Sequence, residues 1–408
     1  VAMVKMERHV AVVLLLVFVT VSGYAFDVEI SPPGLSLQGE LATAANTAGI
    51  DVTGALQTEL GTLADQVEQE IENNPEVQSF STLSLLPRGF ANAGATASHL
   101  GTPRAFTDYR LFALVVGGGL SAAAPSTDPA VIGTAAENIE EDPDIYLGAA
   151  IQPWSAALGV NLSRWIPRTR VYAKFGIFDA PIGTFADEVG FSSMSVGLGG
   201  SYQLLQSRSL PLGFIRWRGL ALSSGFLFQR NDTDVELDLT DAAFESAPLT
   251  FSDIGFDDAT VLNQVNTALD PTSEVGSVTV SPTVTASIDS RTFAVPLEVS
   301  TGLRLLWILD VNFGAGIDLT FGSSELSLGA DAVADFEVTD LADEYFAVTP
   351  GSASLGISAS DAPQFARPRV TTGVVLNLGP VKLDVPVMLY FDGDGNSLMA
   401  GVNLGIVW

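Results

Sequence analysis

The chain closes on the stretch Ser397-Leu-Met-Ala-Gly-Val-Asn-Leu-Gly-Ile-Val-Trp408, which alternates strictly between two kinds of side chain. One set is apolar and comprises Leu398, Ala400, Val402, Leu404, Ile406 and Trp408. The positions between them are mostly small or polar, and residues 381–391 repeat the alternation. Because side chains of a strand switch faces at every residue, each stretch predicts a strand with one apolar wall. About ten such residues let a tilted strand cross a bilayer, so the pattern predicts a transmembrane antiparallel β-barrel.

The first residues carry the pattern of a secretory signal peptide. Lys5 and Arg8 precede an apolar run over residues 10–19, and small residues follow at positions 23 and 25. The run is shorter than the roughly 18 residues that a membrane-spanning helix needs, so a membrane anchor is the less favoured alternative. We therefore expect a signal peptide over residues 1–25.

Composition narrows the class of protein further. Hydrophobic residues make up 47% of the chain and the mean hydropathy is +0.34, yet no apolar run after the signal is long enough for a transmembrane helix. Apolar residues spread at every second position are typical of a membrane barrel. The chain has no cysteine, which excludes disulfides, thiolate chemistry and a lipoprotein anchor.

The net charge of −29 is unevenly distributed along the chain. Residues 231–290 contain twelve acidic residues and no Lys or Arg. Phosphate groups would be repelled by such a surface, so nucleic acid is excluded as a partner. The basic residues concentrate instead at short connections between alternating runs, as at Arg164, Arg168 and Arg170.

The inventory of chemically active residues predicts no enzyme, no cofactor and no metal centre. His99 is the one histidine after the signal, and it lies in a small-residue segment, so a Ser-His-Asp arrangement is not expected. Asp392-Gly-Asp-Gly-Asn396 has the oxygen ligands of a calcium loop but also suits a hairpin turn between the last two strands. The turn is favoured, and calcium stays the alternative.

Residues 26–105 lack the alternation and predict a small helical plug. Between residues 51 and 73 apolar side chains recur at intervals of three and four, as expected of an amphipathic helix. They are Leu56, Leu60, Leu63, Val67 and Ile71. A small-residue segment containing Asn92 and Gly94 follows. Such helices are too short and too polar to span lipid, so we expect them inside or beneath a barrel formed by residues 106–408.

Ten alternating runs follow from residue 109 onward. They cover residues 109–123, 146–164, 168–179, 191–205, 215–240, 276–305, 311–337, 353–378, 381–391 and 397–408. Four of them exceed the length needed to cross a membrane, and they either continue as long strands or break near Asn231, Asp289, Ser323 and Asp361. The strand number is therefore even and lies between ten and fourteen, because both termini belong to one side.

Connections and tryptophans predict the orientation of the barrel. Connections alternate between short ones and mostly long, acidic ones, and the chain ends on the short side, which is periplasmic in outer-membrane barrels. Four tryptophans lie at or beside short connections or the terminus: Trp165, Trp217, Trp307 and Trp408. Indole rings favour membrane interfaces, so we predict an aromatic girdle formed by these four residues.

Several stretches resemble the FadL-type long-chain fatty-acid transporter family, in particular its uncharacterised spirochaete branch. They are residues 90–101, residues 152–155 with 159–161, and above all residues 368–373 through 377–380 to residue 408. The resemblance implies fourteen strands, which we favour, and a plugged lumen through which hydrophobic small molecules such as long-chain fatty acids pass. It also implies the outer membrane of a diderm bacterium, with membrane lipid and the barrel-assembly machinery, which reads the aromatic-ended terminal strand, as partners. An Asn-Pro-Ala signature common in the plug of that family is missing.

Two other functions stay open at this point. A general porin would carry both charge signs on its luminal strands, whereas the inward faces here have few basic residues and the plug would obstruct an open pore. A structural or adhesive surface barrel would use its acidic outer loops for binding.

Overall fold

The computed structural model of the chain describes residues 26–31, 34–48, 85–103, 109–126, 146–181, 189–210, 214–238, 244–245, 249–252, 256, 259–266, 269–339 and 345–408. The predicted signal peptide and the predicted helix over residues 51–73, with its apolar stripe, lie outside the described residues. Both therefore stay predictions.

The described elements are mostly strands. They are β1 (Phe26–Ser31), β2 (Gly34–Leu37), β3 (Phe112–Ala124), β4 (Gly148–Asn161), β5 (Thr169–Ala180), β6 (Val189–Leu205), β7 (Arg208–Ser209), β8 (Ile215–Asp238), β9 (Phe244–Glu245), β10 (Leu249–Thr250), β11 (Glu274–Leu305), β12 (Leu309–Val338), β13 (Phe346–Thr349), β14 (Gly351–Asp361), β15 (Ala366–Leu378), β16 (Val381–Phe391) and β17 (Asn396–Val407). The helices are α1 (Gly39–Ala48), α2 (Leu85–Ala97) and α3 (Ala259–Val265).

Ten of the described strands pair in a closed ring, in the order β3-β4-β5-β6-β8-β11-β12-β15-β16-β17 and back to β3. The closing pair is antiparallel and runs from Asn396 opposite Ala124 to Val407 opposite Ala113. A ring leaves no unpaired edge, so the backbone donors and acceptors of neighbouring strands can pair around the whole sheet, as lipid requires. The predicted all-β transmembrane barrel with a small helical part is confirmed.

The favoured number of fourteen strands is wrong for this ring, which has ten among the described residues. The runs that cover β8, β11 and β12 do not break but continue as strands of 24, 32 and 30 residues. The run over residues 353–378 does break after Asp361, where the side chain accepts a hydrogen bond from the Ala362 N–H at 2.7 Å. Pro363 follows and cannot donate to a ladder, so the strand ends there, and β14 lies outside the ring.

The two faces of the terminal strand are arranged as predicted. Along β17 exposed and buried side chains alternate: Leu404 is 53% exposed and Val402 is 52% exposed, while Asn403 between them is 2% exposed. Strand β16 alternates in the same way, with Lys382 buried and Val385 exposed. The apolar wall faces outward, toward lipid, and the other wall faces the lumen.

The chain divides into two compact units. The first comprises residues 1–80, 236–286 and 327–358, and the second comprises residues 81–235, 287–326 and 359–408. In the first unit β1 pairs with β14, β2 pairs with β13, and α1 packs against α3. Its core is apolar and contains Leu41, Phe251, Phe256, Leu262, Leu269 and Phe346.

The predicted plug over residues 26–105 is thus represented in both units, since residues 26–48 belong to the first and residues 85–103 to the second. The domain boundaries at residues 25 and 105 stay predictions. Among the described residues no helix is long and apolar enough to cross a bilayer.

We predict that the charge-bearing substitution Leu404→Arg destabilises the barrel by about 2–4 kcal/mol, because it places a cation on the lipid-facing wall near the midplane. Urea titration in lipid vesicles measures the free energy of unfolding. The control Leu404→Met keeps the wall apolar and should cost below about 1.5 kcal/mol. Equal losses for the two variants would contradict the assignment of this face to lipid.

Candidate functional site: the plug helix inside the barrel

Helix α2 is built from small residues and lies in the lumen of the second unit. From here on, the plug means α2 together with the residues that follow it up to residue 103. Pro87 falls in its first turn, where a missing N–H is tolerated, and Gly101 with φ 71° follows its end. All residues from Ala91 to Ala97 are buried, and the helix packs against β3, β4 and β17. A helix can approach a sheet this closely because its side chains are small.

One contact shows how close the approach is. A Cβ atom on Gly89 would lie 2.2 Å from the carbonyl oxygen of Leu147, and one on Gly148 would lie 2.1 Å from the backbone of Gly89. These distances are below any real contact, so backbone meets backbone here. Only glycine fits at either position.

The buried guanidinium of Arg367 on β15 ties the helix to the barrel. Its Nε donates to Asp392 Oδ1 at 2.7 Å and its Nη2 donates to Asp392 Oδ2 at 3.1 Å. Its remaining N–H groups reach the plug, at the carbonyl oxygen of Asn92 and at Thr96 Oγ1, both at 2.9 Å. The guanidinium also lies 4.5 Å from the centre of the Tyr390 ring. One cation therefore holds the barrel wall and the plug together.

Asp392 accepts hydrogen bonds from two further side chains, and one of these is itself bonded to α2. Tyr146 Oη donates to Asp392 Oδ2 at 2.6 Å, Ser397 donates to the same oxygen, and Asn92 Nδ2 donates to Tyr146 Oη at 2.8 Å. Burial raises the pKa of Tyr146, and the neighbouring carboxylate raises it further, so the phenol stays protonated and donates. The turn predicted over residues 392–396 thus connects β16 to β17. Its first carboxylate, Asp392, pairs with Arg367, which in turn bonds the plug.

A second buried cation lies two residues further along β15. Arg369 Nε donates to Asp318 Oδ1 at 2.8 Å, and Arg369 Nη1 donates to Glu298 Oε2 at 2.6 Å. Asp318 Oδ2 also accepts from Tyr390 Oη at 2.9 Å and lies 2.6 Å from His99 Nε2. His99, just after α2, is therefore part of the network that seats the plug.

The plug has an apolar side and a polar side. On the apolar side the buried residues Ala93, Ala97 and Leu100 form one cluster with wall residues that include Met388 and Met399. We call this cluster the apolar seam.

On the polar side Gly94 faces β8 and β11. A Cβ atom there would lie 2.9 Å from Ser290 Oγ, 3.4 Å from Thr292 Oγ1 and 3.5 Å from Asn231 Nδ2. The two sides of one short helix thus meet walls of opposite character.

The sequence singled out some of these residues and missed others. Asn92 and Gly94 were predicted in the plug and lie on α2, where Asn92 also accepts a hydrogen bond from the Gln364 N–H at 2.9 Å. Arg367 and Arg369 were missed. The signal for them was present, because they are the only basic residues between positions 305 and 381 and are two apart on a strand, hence on one face.

The four tryptophans of the predicted girdle lie at the end of the barrel that carries the short connections. Trp165 and Trp307 are each 73% exposed, Trp408 follows β17, and Trp217 on β8 donates its indole N–H to Thr301 Oγ1 at 2.8 Å. Trp154 lies within β4 instead. The girdle itself stays a prediction.

A family model described as Lsa36-like matches residues 38–408. The chain belongs to the Lsa36-like family. No curated protein matches it. Membership of the FadL-type family, which the sequence resemblance implied, stays a prediction.

Several solved barrels are distantly similar to this Lsa36-like chain. The translocator domain of the autotransporter NalP from Neisseria meningitidis is 9% identical, with 78% of this chain and 99% of that chain covered and a TM-score of 0.27. The CymD monoaromatic hydrocarbon channel is 10% identical, with 80% and 97% covered and a TM-score of 0.24. A Pseudomonas aeruginosa FadL homologue is 11% identical, with 79% and 96% covered and a TM-score of 0.21. Likeness at this level assigns no activity.

We predict that Arg367→Met destabilises the second unit by about 3–5 kcal/mol, because it leaves the buried Asp392 carboxylate without its cation. Urea titration followed by tryptophan fluorescence measures the loss. The double variant Arg367→Met/Asp392→Asn removes both charges and should be less destabilised than the sum of the two single variants. Additive losses would show that the two side chains do not act as a pair.

Proposed function

We propose that this protein is an outer-membrane barrel that passes hydrophobic small molecules, such as long-chain fatty acids, past a seated plug. The observation that carries the proposal is the apolar seam of α2, which ends at a part of the wall made of glycine. Leu100, fully buried at the end of the seam, is the side chain that fills this place.

The glycine part of the wall lies where β17 meets β3. A Cβ atom on Gly119 would lie 2.7 Å from Leu100 Cδ2, and one on Gly401 would lie 2.5 Å from the same carbon. Gly117 and Gly118 precede Gly119 on β3, and the register of β3 with β4 shifts between Gly117 and Gly119. We call these four glycines the glycine window.

The backbone ladder is also weaker beside the window. Strand β16 pairs with β17 at Asp384 and at Val387, but the register skips the two residues between them, of which Pro386 has no N–H to donate. A wall without side chains and with fewer hydrogen bonds is the place where displacement of Leu100 costs least.

An apolar ligand needs a dry route, because each buried CH₂ group contributes roughly 0.8 kcal/mol and a watery gap forfeits it. The apolar seam supplies such a route along α2. Met388 and Met399 line it with flexible, polarizable side chains that adapt to ligands of different shape. Arg367 keeps the helix in place through its bonds to the carbonyl oxygen of Asn92 and to Thr96 Oγ1.

We expect the short connections to face the periplasm and the long acidic connections to face outside, with membrane lipid on the outer wall and the barrel-assembly machinery reading the terminal strand. Protease added to intact cells should therefore nick the chain within residues 241–275 or 338–352. Mass spectrometry of the fragments locates the cuts. Cuts confined to the short connection at residues 162–168 would reverse the orientation.

A reversible disulfide beside Leu100 tests whether displacement of this side chain carries transport. The chain has no cysteine, so the pair Gly101→Cys/Ser155→Cys forms the one disulfide available. A Cβ atom on Gly101 lies 3.2 Å from Ser155 Cβ, close to the roughly 3.5–4.5 Å that disulfides prefer. We predict that the oxidised pair abolishes uptake of long-chain fatty acid by a transporter-deficient host and that a reductant restores it.

The two single-cysteine variants are the matched controls, because they carry the same strain at Gly101 and the same loss of the Ser155 hydroxyl without the disulfide. They should retain uptake in oxidising medium. If the oxidised and reduced proteins take up fatty acid equally, displacement of Leu100 is not part of passage. If the native protein confers no uptake at all, the transport function fails and the surface barrel takes its place.

A further inference from the structure

A cavity of about 80 Å³ lies in the lumen of the second unit, at the end of the plug. His99 and Thr102 line it from the plug side, and the rest of its wall comes from β6, β8, β11, β12, β15, β16 and β17. Its volume is large enough for several water molecules or a small organic molecule, and far too small for a long acyl chain. It adjoins the apolar seam at Met388, which lines both, but its size makes it a different kind of site.

The charged groups on the cavity wall are paired with one exception. Arg218 Nη1 bonds Asp310 at 2.7 Å. Glu298 bonds Arg369 at 2.6 Å, and His99 lies 2.6 Å from Asp318. Asp384 on β16 forms no ion pair among the described residues, and Arg218 on the same wall is the cation that attracts it from a distance.

Asp384 is 3% exposed. Among the described residues, one of its carboxylate oxygens has a hydrogen-bond donor and the other has none. Oδ2 accepts from Asn403 Nδ2 at 2.9 Å. Oδ1 is buried and has no hydrogen-bond partner among the residues that the structure describes. Burying a carboxylate costs several kcal/mol unless it is paired or hydrogen-bonded, so this oxygen requires a donor, and a cationic one satisfies it best.

Glycine keeps the space beside this oxygen open. A Cβ atom on Gly373 would lie 3.5 Å from Asp384 Oδ1. Asn312 lies directly opposite Gly373 on the neighbouring strand β12, and a Cβ atom on Gly302 would lie 2.6 Å from Asn312 Oδ1. The Nδ2 atom of Asn312 is buried and likewise lacks a hydrogen-bond partner among the described residues. The wall therefore offers a ligand one acceptor, Asp384 Oδ1, and one donor, Asn312 Nδ2.

We propose that this cavity binds a small primary ammonium compound that carries a neighbouring hydroxyl or carbonyl oxygen. The ammonium donates to Asp384 Oδ1, and the oxygen accepts from Asn312 Nδ2. A divalent metal ion fits less well, because such ions prefer several carboxylate ligands and no group of three His, Cys, Asp or Glu among the described residues could hold one. The site is independent of the proposed passage of hydrophobic molecules.

Isothermal titration of the full-length protein in detergent with ethanolamine tests the site. Ethanolamine should bind with one-to-one stoichiometry, and ethylene glycol, its uncharged analogue, should not. Asp384→Asn should abolish binding, and Asn312→Leu should weaken it. Asp270→Asn, which removes an exposed carboxylate in the first unit, should leave binding unchanged.

Each contrary result overturns the proposal. Absence of ethanolamine binding to the native protein, or equal binding by Asp384→Asn, excludes Asp384 as the ligand. Equal binding of ethylene glycol shows that the charge is not recognised. The comparison of ethanolamine with ethylene glycol uses only the native protein. It therefore tests the proposal even if Asp384→Asn does not fold. Uptake of fatty acid is measured separately and can fail or succeed independently.

Discussion

The pairing of Arg367 with Asp392 is the interaction on which the rest of the lumen depends. A guanidinium without solvent exposure needs a carboxylate and acceptors for its other N–H groups, and the barrel wall supplies only the carboxylate. The plug supplies the rest, through the carbonyl oxygen of Asn92 and the hydroxyl of Thr96. Barrel and plug therefore satisfy each other, and removal of α2 would leave a buried cation underbonded.

The small side chains of the plug follow from the same constraint. A ring of ten strands leaves a narrow lumen, and the network around Arg367 forms only if α2 lies against the wall. Alanine and glycine allow that approach, as the backbone contact between Gly89 and Leu147 shows. The price is a helix with little apolar area of its own, held mainly by polar contacts on one side.

Much of the fold was accessible from the sequence, because strand alternation reports directly on the two walls. Residues 397–408 predicted the terminal strand, its faces and its closing role. The number of strands was not accessible, since Asn231, Asp289 and Ser323 lie within continuous ladders and only Asp361, followed by Pro363, ends one. Local polarity does not break a strand when its backbone hydrogen bonds continue.

Only part of the site could be predicted from the sequence, for a different reason. Asn92 and Gly94 stand in an evident small-residue segment, but their partner Arg367 is 275 residues from Asn92. Such pairing depends on register around the whole ring, which no local pattern encodes. The isolated basic pair at positions 367 and 369 in an acidic chain would have marked the strand, though not its partners.

Hydrogen–deuterium exchange of residues 91–97 shows whether the Arg367 network seats α2 in the lumen. We expect these amides to exchange as slowly as those of β17 in the native protein. We also expect them to exchange rapidly in Arg367→Met while β17 stays protected. Rapid exchange of residues 91–97 in the native protein, or equal protection in the variant, would show that the network does not seat the helix.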